Sequence, residues 1–282
     1  MIPGKVKITV SMLIWGSVGI FSRFTHLTGL GVAFFRVSLG ALLFLGVYSF
    51  REPMWLKRVH DELGGNWRWI LLLGAALALN WVFLFTAFLY TTIAEAVLVY
   101  YTAPIIAVII SARFLGEKIT GTRVFLIALA FMGVITIMSG EGVSTANKGL
   151  ILALLAAFFY ALIPNLGRFL SGMDSEVLTF SQLAVAAAIL TPFVSVVGVS
   201  SGEISWPAVG VLVVVHTVLA LLLYMKGLRE VEVNEAALLS YLDPLSAVVY
   251  AFLVFGEIPS LRTAVGGLLI LSASLADILK KG

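Results

Sequence analysis

Charge is scarce in this sequence: Asp, Glu, Lys and Arg make up 12% of its 282 residues, whereas hydrophobic residues make up 61%. A soluble domain carries about 25% charged residues and could not cover its surface with so few. Cysteine is absent, which excludes disulfides, thiolate metal sites and cysteine nucleophiles. The scarcity of charge excludes secreted, nucleic-acid-binding and disordered proteins, and it leaves an integral membrane protein.

The apolar residues come in long runs and lack the alternation of barrel strands, which predicts an all-α membrane protein. A spanning helix needs about 20 predominantly apolar residues. The runs predict ten transmembrane helices, at about 6–24, 31–50, 69–90, 94–114, 122–139, 149–170, 177–199, 206–228, 235–255 and 261–279. We interpret the first run as a retained helix and not as a signal peptide, because no convincing small-residue cleavage site follows it.

The positive charges predict the orientation of these helices. An even number of spans puts both termini on one side of the membrane. Of the 18 Lys and Arg residues, 14 fall on the side of the termini; the other four are Arg23, Arg36, Lys148 and Arg262. Because cytoplasmic loops are enriched in Lys and Arg, both termini are predicted to be cytoplasmic.

The longest predicted loop, 51–68, carries Trp55, Trp67 and Trp69. Tryptophan favours the headgroup layer of a membrane, so we interpret these residues as interfacial anchors, with a regulatory docking site as the alternative. No predicted loop is long enough to hold a soluble domain.

An internal repeat divides the chain. Residues 95–117 and 235–257 share nine identities in 23 positions, among them Glu95 with Glu235 and Glu117 with Glu257. The relation extends upstream at a shift of 145, where Arg23 parallels Arg168. Two five-helix units, 1–142 and 143–282, follow from this repeat. Because five is odd, the second unit is inverted in the membrane, an arrangement typical of secondary transporters.

The runs AEAVLVYYTAPIIAVIISARFLGEKIT and NEAALLSYLDPLSAVVYAFLVFGEIPS resemble the fourth and ninth helices of the EamA family, within the drug/metabolite transporter superfamily. LIWGS in the first span and FFRVSLGALLF in the second also fit that family. The resemblance covers essentially the whole chain. It implies a ten-helix carrier in the inner membrane of a prokaryotic cell, commonly an exporter of amino acids or other small metabolites.

Asp243 is an acid within a predicted span, where insertion costs a few kcal/mol. Its counterpart in the first repeat is Ala103, so the fold does not require the acid. The family often has Glu before this proline, and Asp is a shorter version. Asp243 is a candidate for binding a proton or a cationic substrate group, and local pairing with Lys226 is the alternative. His216 is a candidate for relaying protons beside Asp243, or for a structural bond to a nearby carbonyl.

Three further polar residues are substrate-binding candidates, each with a structural alternative. Asn80, near the middle of the third span, is a hydrogen-bonding candidate or a link between helices. Asn165 follows Pro164, and the pair predicts a local helix break or a simple kink. Arg36 begins the second span, where it is a candidate for attracting a carboxylate or for snorkelling to the headgroups.

Aromatic side chains at mid-span depth suit either an amphiphilic solute or plain packing. The aromatic candidates are Trp15, Tyr100, Tyr101, Tyr160, Tyr224 and Tyr241. Tyr101 and Tyr241 occupy equivalent repeat positions, about one turn before Pro104 and Pro244. A proline removes a backbone hydrogen bond within a helix, so these two predict bent helices that gate a cavity.

A secondary transporter working by alternating access around a midplane cavity is the leading hypothesis, with proton coupling through Asp243 and His216. Nucleotide-sugar, lipid-linked and drug-like cationic substrates are alternatives within that class, and a membrane enzyme or receptor lies outside it. Three separated histidines without an H-E-x-x-H or G-x-S-x-G motif argue against an enzyme. We expect the protein to bind no cofactor, metal or nucleic acid. We expect it to be surrounded by membrane lipid and to be a monomer or a homodimer.

Overall fold

The computed structural model describes residues 3–115, 120–139, 145–170, 172–200, 202–228, 230–231 and 239–280. In those ranges the chain is helical, and one isolated β-bridge joins Leu27 to Ser200. The helices are α1 (Gly4–Gly16), α2 (Val18–Phe24), α3 (Gly29–Arg51), α4 (Trp55–Leu63), α5 (Trp67–Ala87), α6 (Ile93–Tyr100), α7 (Ala103–Leu115), α8 (Gly121–Met138), α9 (Thr145–Phe169), α10 (Ser175–Val197), α11 (Trp206–Val211), a π-helical segment (Leu212–Leu219), α12 (Ala220–Leu228), α13 (Leu242–Phe255) and α14 (Leu261–Lys280).

Among the described residues, eight helices or helix pairs are long and apolar enough to cross a membrane. They are Gly4–Phe24, Gly29–Arg51, Trp67–Ala87, Ile93–Phe114, Gly121–Met138, Asn147–Gly167, Ser175–Val197 and Trp206–Tyr224. The shorter apolar helices 242–255 and 261–276 match the last two predicted spans. The protein is therefore a multi-pass helical membrane protein, and ten spans with cytoplasmic termini stay predictions.

Part of the predicted repeat lies outside the described residues. Positions 116–119 contain Glu117, and positions 232–238 contain Glu235 together with the first residues of the predicted ninth span. The division into units 1–142 and 143–282 stays a prediction.

Two of the predicted spans are interrupted at mid-depth. The first is interrupted at Ser17, between α1 and α2, and the fourth is interrupted at Tyr101–Thr102, between α6 and α7. Pro104 is the second residue of α7, in the first turn of a new helix. Proline is tolerated there because the first helical N–H groups have no partner within the helix. The predicted mid-helix bend at Pro104 is therefore corrected to a break that precedes the proline.

The same arrangement recurs in the second half of the chain. Ser240 and Tyr241 form a turn immediately before α13, and Pro244 is the third residue of that helix. In the eighth span the interruption takes another form, the π-helical segment, in which Thr217 Oγ1 donates to the Leu212 carbonyl at 3.0 Å. Such π-helical stretches free backbone carbonyls and occur often at functional sites.

Close helix contacts depend on glycine at a few positions. A Cβ atom on Gly133 of α8 would lie 2.6 Å from the Gly266 carbonyl oxygen of α14, and a Cβ on Gly266 would lie 2.5 Å from the Gly133 oxygen. Small residues allow such approach within a membrane, where packing replaces the hydrophobic effect. The fifth and tenth predicted spans therefore pack on each other within one chain.

The predicted 51–68 loop contains the short helix α4, which packs onto the bundle. Trp55 is fully buried, with its ring 4.7 Å from Tyr48 and 6.1 Å from Phe180. Its interpretation as an interfacial anchor is therefore corrected, whereas Trp67 and Trp69 remain exposed. Glu62 of α4 accepts from the Asp174 backbone N–H at 2.9 Å, which ties α4 to the start of α10.

Asp174 is the N-cap of α10, and its carboxylate accepts from the Glu176 backbone N–H at 3.0 Å. The side-chain hydrogen bond with Glu176, together with these backbone bonds, lowers the pKa of Asp174 from its ordinary value. This cap places the first turn of α10 beside the end of α3 at Arg51.

Candidate functional site

The interrupted helices bring the predicted aromatic residues together into one wall. Tyr100 of α6 lies 5.1 Å from Tyr160 of α9, and Tyr101 lies 6.3 Å from Tyr241, between ring centroids. Trp15 of α1 lies 5.2 Å from Tyr224 of α12.

The Tyr100 and Tyr101 rings lie 6.2 Å apart, which joins the first two ring pairs. Trp15 and Tyr224 pack in one apolar cluster with Leu242, the residue after Tyr241. None of these aromatic side chains is fully buried, and Tyr160 is 44% exposed. Aromatic side chains that retain accessible surface while they contact one another across helices suit the lining of a binding cavity. We call this cluster of six side chains the aromatic wall.

Asp243 lies at this wall, as the second residue of α13. The Tyr101 hydroxyl donates to its Oδ2 at 2.8 Å, and the position in the first helical turn favours a carboxylate electrostatically. In the part of the chain that the structure describes, no Lys or Arg nitrogen lies within 4 Å of this carboxylate. The alternative of a local pair with Lys226 is therefore corrected.

The Tyr101 hydroxyl has a second acceptor, the Ser240 carbonyl, at 3.2 Å. A hydroxyl has one proton and two lone pairs, so it donates to one group and still accepts from another. With Asp243 ionised, Tyr101 donates to the carboxylate. With Asp243 protonated, the acid donates to Tyr101, which turns its own proton to Ser240. The geometry therefore supplies hydrogen bonds for both protonation states of Asp243.

Arg36 lies deeper than its predicted place at the membrane rim. It is the eighth residue of α3, about 10 Å along the axis from the helix start, and it is 5% exposed. Its guanidinium stacks on Trp81 at 4.0 Å from the ring centroid and lies 5.2 Å from the Phe85 ring. Snorkelling to the headgroups is therefore wrong, because the charge is enclosed by aromatic faces.

The π-helical segment provides the acceptors for Arg36. Arg36 Nε donates to Thr217 Oγ1 at 3.0 Å, and Nη2 donates to the His216 carbonyl at 3.3 Å. The same carbonyl accepts from Trp15 Nε1 at 2.8 Å. The Arg36 cluster thus lies behind the aromatic wall and holds it in position through one shared carbonyl.

The His216 side chain points away from this carbonyl and is almost fully buried. Its Nδ1 lies 3.2 Å from the Val211 carbonyl, and its Nε2 lies 2.9 Å from the Ser17 hydroxyl at the α1–α2 break. Phe21 packs against the ring at 5.0 Å. The described contacts link His216 to Ser17 and not to Asp243, so they favour the structural alternative over a direct relay.

Asn80 and Asn165 both connect helices. Asn80 is fully buried; its Nδ2 donates to the Ala156 carbonyl at 2.8 Å and contacts the Tyr100 hydroxyl at 3.3 Å. Asn165 Nδ2 donates to the Ala161 carbonyl at 2.9 Å and to the Ala107 carbonyl of α7 at 3.3 Å. The contact with Asn80 therefore helps to hold the Tyr100 side chain in position.

Helix α9 continues through Pro164. Of the two alternatives that the sequence left open at Pro164–Asn165, a local break or a simple kink, the continuous helix excludes the break. Asn165 satisfies the Ala161 carbonyl one turn before it, in the part of the helix that the proline weakens.

An ionic network at the opposite end from the termini was not predicted as a site. Arg23 of α2 forms an ion pair with Glu257, in the segment between α13 and α14. Arg23 also donates to the Phe88 carbonyl at 3.1 Å and to the Thr91 carbonyl at 2.9 Å. Glu257 accepts from the Ile93 backbone N–H at 2.9 Å. This network joins the two predicted repeats at the end of the bundle.

Glu95 continues the network, since it accepts from Thr91 Oγ1 at 2.5 Å and from Thr263 Oγ1 at 3.1 Å. A cavity of about 610 Å³ lies at this end, lined by Arg23, His26, Leu27, Glu95 and Glu257 among others. The sequence held one signal for the network: Arg23 and Glu257 each recur in the other repeat, as Arg168 and Glu117.

The described part of the chain offers no metal site. Among the residues that the structure describes, no group of three or more His, Asp or Glu side chains could hold a metal ion. The arrangement at the wall is instead suited to non-covalent binding: a carboxylate with no cationic partner among the described residues lies beside aromatic rings, which attract cations.

Comparisons with known proteins agree with this geometry. Residues 3–139 and 147–276 match the EamA-like transporter family. The chain is 31% identical to the uncharacterized transporter YxxF of Bacillus subtilis, over 98% of this chain and 89% of the relative. It is 27% identical to an uncharacterized transporter of Archaeoglobus fulgidus, with coverage of 96% and 95%.

A third relative has a named activity. The pseudopaline exporter CntI of Pseudomonas aeruginosa is 26% identical, over 87% of this chain and 84% of the relative. One solved crystal structure superposes with a TM-score of 0.65 at 20% identity, over 99% of this chain and 97% of that chain, which shows a shared fold.

Proposed function

The chain belongs to the EamA-like transporter family, and from that premise we propose that it exports small amine-bearing metabolites, amino acids among them, by alternating access. Its proposed location is the inner membrane of a prokaryotic cell, with ten spans and both termini in the cytoplasm. The relatives come from bacteria and archaea, which supports this location. One of them is named as an exporter, which supports the direction.

The single observation that carries the substrate class is the setting of Asp243. Its carboxylate is bonded to a neutral tyrosine hydroxyl, it has no cationic partner among the described residues, and it lies at the aromatic wall. An ammonium group bound there gains a charge-assisted hydrogen bond from its own N–H to Asp243. It also gains cation–π contacts with the tyrosine rings.

Proton exchange at the same carboxylate is the coupling we propose. A carboxylate that binds an ammonium group or a proton, but not both, links export of one to import of the other. The two acceptors of the Tyr101 hydroxyl support this, because the protonated acid keeps a hydrogen-bonded partner.

Alternating access needs an end that closes, and the Arg23–Glu257 network is our candidate for the outer one. It joins α2, the chain between α5 and α6, and the chain between α13 and α14. The network breaks when these elements separate, so we propose that it holds the outer side shut while the aromatic wall communicates with the cytoplasm.

A drug-like organic cation is a second candidate substrate, favoured by the number of aromatic rings beside one acid. Nucleotide sugars and lipid-linked phosphates fit less well. They require an accessible basic group, and Arg36 is covered by Trp81 and Phe85.

Proteoliposomes test the proposed function. The purified chain is reconstituted, and uptake of radiolabelled amino acids, a simple alkylamine and an aromatic organic cation is measured with and without an imposed proton gradient. We expect amine-bearing solutes to move and the gradient to drive them. Transport of carboxylates that lack an amine would contradict the substrate class, and uptake indifferent to the gradient would contradict the coupling.

A further inference from the structure

A second cavity lies at the other end of the bundle, on the side of the termini. It occupies about 240 Å³ between α3, α10 and α12. Its lining residues are Phe44, Val47, Tyr48, Arg51, Ser175, Glu176, Thr179, Leu221, Leu222 and Lys226. It shares no residue with the aromatic wall, so the transport site does not account for it.

Two positive charges from different helices converge on this groove. Arg51 is the last residue of α3, and Lys226 lies in the last turn of α12. Both side chains are exposed, and in the described part of the chain neither is within 4 Å of a carboxylate. A helix C-terminus favours one cation, but that effect does not explain why two helices present theirs to one groove.

The groove also holds one acid, which is already engaged. Glu176 accepts from the Ser175 hydroxyl at 2.9 Å. The groove is lined by two positive charges, Arg51 and Lys226, and one negative charge, Glu176, so its net positive charge is complementary to an anion.

The remaining wall is apolar and opens to the outer surface of the bundle. Phe44, Val47, Leu221 and Leu222 form it, and Val47 is 41% exposed beside the equally exposed Leu43. Exposed aliphatic residues on a spanning helix face lipid chains. The groove thus joins a basic end at the headgroup depth to an apolar end at the acyl depth.

We propose that this groove binds one anionic phospholipid of the cytoplasmic leaflet, with its phosphodiester between the Arg51 guanidinium and the Lys226 ammonium. The upper part of an acyl chain lies against Val47 and Leu222. A volume of about 240 Å³ accommodates the headgroup region, so the rest of the lipid lies along the surface of α3. Basic pockets between spanning helices on the cytoplasmic side bind lipid headgroups in this way.

The site has a structural consequence. A lipid bound there bridges α3 and α12, and α12 continues directly from the π-helical segment that holds Arg36 and Trp15. Because the lipid binds the folded bundle, it raises thermal stability, and the stabilisation grows with the logarithm of the lipid concentration once that exceeds the Kd.

Native mass spectrometry and thermal unfolding of the full chain in detergent test the proposal. The test variant is R51Q/K226Q. The matched control is K57Q/R68Q, which removes two exposed positive charges of the same side outside the groove. Phosphatidylglycerol is compared with phosphatidylethanolamine, phosphatidylcholine and inorganic phosphate.

We expect phosphatidylglycerol to remain bound to the natural chain and to the control, and to bind R51Q/K226Q about 10- to 30-fold more weakly. Equal binding to both double variants would overturn the proposal, since it would reflect general surface charge. Equal effects of all three lipids, or of inorganic phosphate alone, would overturn it too. If R51Q/K226Q fails to fold, three other variants replace it. R51K/K226R keeps both charges, so we expect it to retain the lipid. The single variants R51Q and K226Q each lose one charge, so we expect each to bind phosphatidylglycerol more weakly than the natural chain does.

Discussion

Arg36 and Asp243 are charged residues on different helices of the bundle, and their surroundings are opposite in kind. Arg36 is 5% exposed, covered by the rings of Trp81 and Phe85, and bonded to Thr217 and the His216 carbonyl. Asp243 keeps accessible surface and is held by one tyrosine hydroxyl. The first charge is bonded within the protein, and the second is the one that we propose binds a ligand.

The difference shows how a membrane protein separates stability from function. A buried charge is costly unless aromatic faces and hydrogen-bond acceptors replace its water. Arg36 has such replacements from α5 and the π-helical segment. Asp243 has fewer such replacements for water, so we expect a bound ammonium group or a proton to stabilise it more than it would stabilise Arg36.

Replacing Asp243 has the largest expected effect. Asp243→Asn removes the charge and keeps the shape, and we expect amine transport to fall about 10- to 100-fold, since hydrogen bonds to charged groups contribute about 1.5–3 kcal/mol. Gradient-driven uptake in proteoliposomes measures this. Asp243→Glu, which keeps the charge, serves as the control and retains partial transport. Full transport by Asp243→Asn would mean that the free charge is not the functional one.

Replacing Arg36 tests the other side of the comparison. Arg36→Gln loses the contacts with Thr217, His216 and Trp81, so we expect a loss of about 1–3 kcal/mol of stability, seen as a lower unfolding midpoint in detergent. Substrate should still stabilise the variant. Unchanged stability together with lost substrate binding would show that Arg36 faces the ligand after all.

Arg23 offers a contrasting arginine, one with a carboxylate partner. Arg23→Gln removes its pair with Glu257, and we expect the outer end to open more often, by about fivefold, the equivalent of about 1 kcal/mol. The chain has no cysteine, so a Leu27→Cys reporter, at a position that is 3% exposed, reports opening through its rate of maleimide labelling. Arg262→Gln, a nearby arginine outside the network, is the control. Equal labelling rates would remove Arg23 from the gate.

Replacing Tyr101 has the smallest expected effect. Tyr101→Phe keeps the ring in the aromatic wall and removes the hydroxyl that bonds Asp243. We expect transport to fall about threefold, because the Asp243 charge that binds the ammonium group stays in place; such a change lies at the low end of the net contribution of a hydrogen bond, about 0.5–1.5 kcal/mol. Tyr241→Phe, at the equivalent repeat position, is the comparison variant. A loss as large as that of Asp243→Asn would mean that Tyr101 itself binds the substrate.

The sequence predicted the helical class and the approximate spans well, because a span needs a long apolar run and such runs are visible in composition alone. It predicted the EamA resemblance from two runs that carry Tyr101, Pro104, Tyr241 and Pro244, and the family comparison confirmed it. It was wrong about the prolines, since a proline signals a helix disturbance without stating whether the helix bends there or starts again there.

The contacts of Arg36 and Trp55 could not be predicted from the sequence. Trp81 lies 45 positions after Arg36, and a pattern within one span does not report which ring from another helix covers it. Trp55 looked like a headgroup anchor by its position, but α4 folds back and buries it against Tyr48 and Phe180. The Arg23–Glu257 pair spans 234 positions, and only its recurrence in the repeat hinted at it.

By itself the sequence determined that this chain is a multi-pass helical membrane protein of the EamA-like transporter family, and it predicted the spans and the few charges within them. These follow from local composition and from motifs, which the chain carries residue by residue. The tertiary structure decided that Arg36 is enclosed, and that Asp243 has no cationic partner among the described residues. That outcome depends on which helices face each other, because the cost of a buried charge is set by the rings, carbonyls and hydroxyls that other helices bring to it.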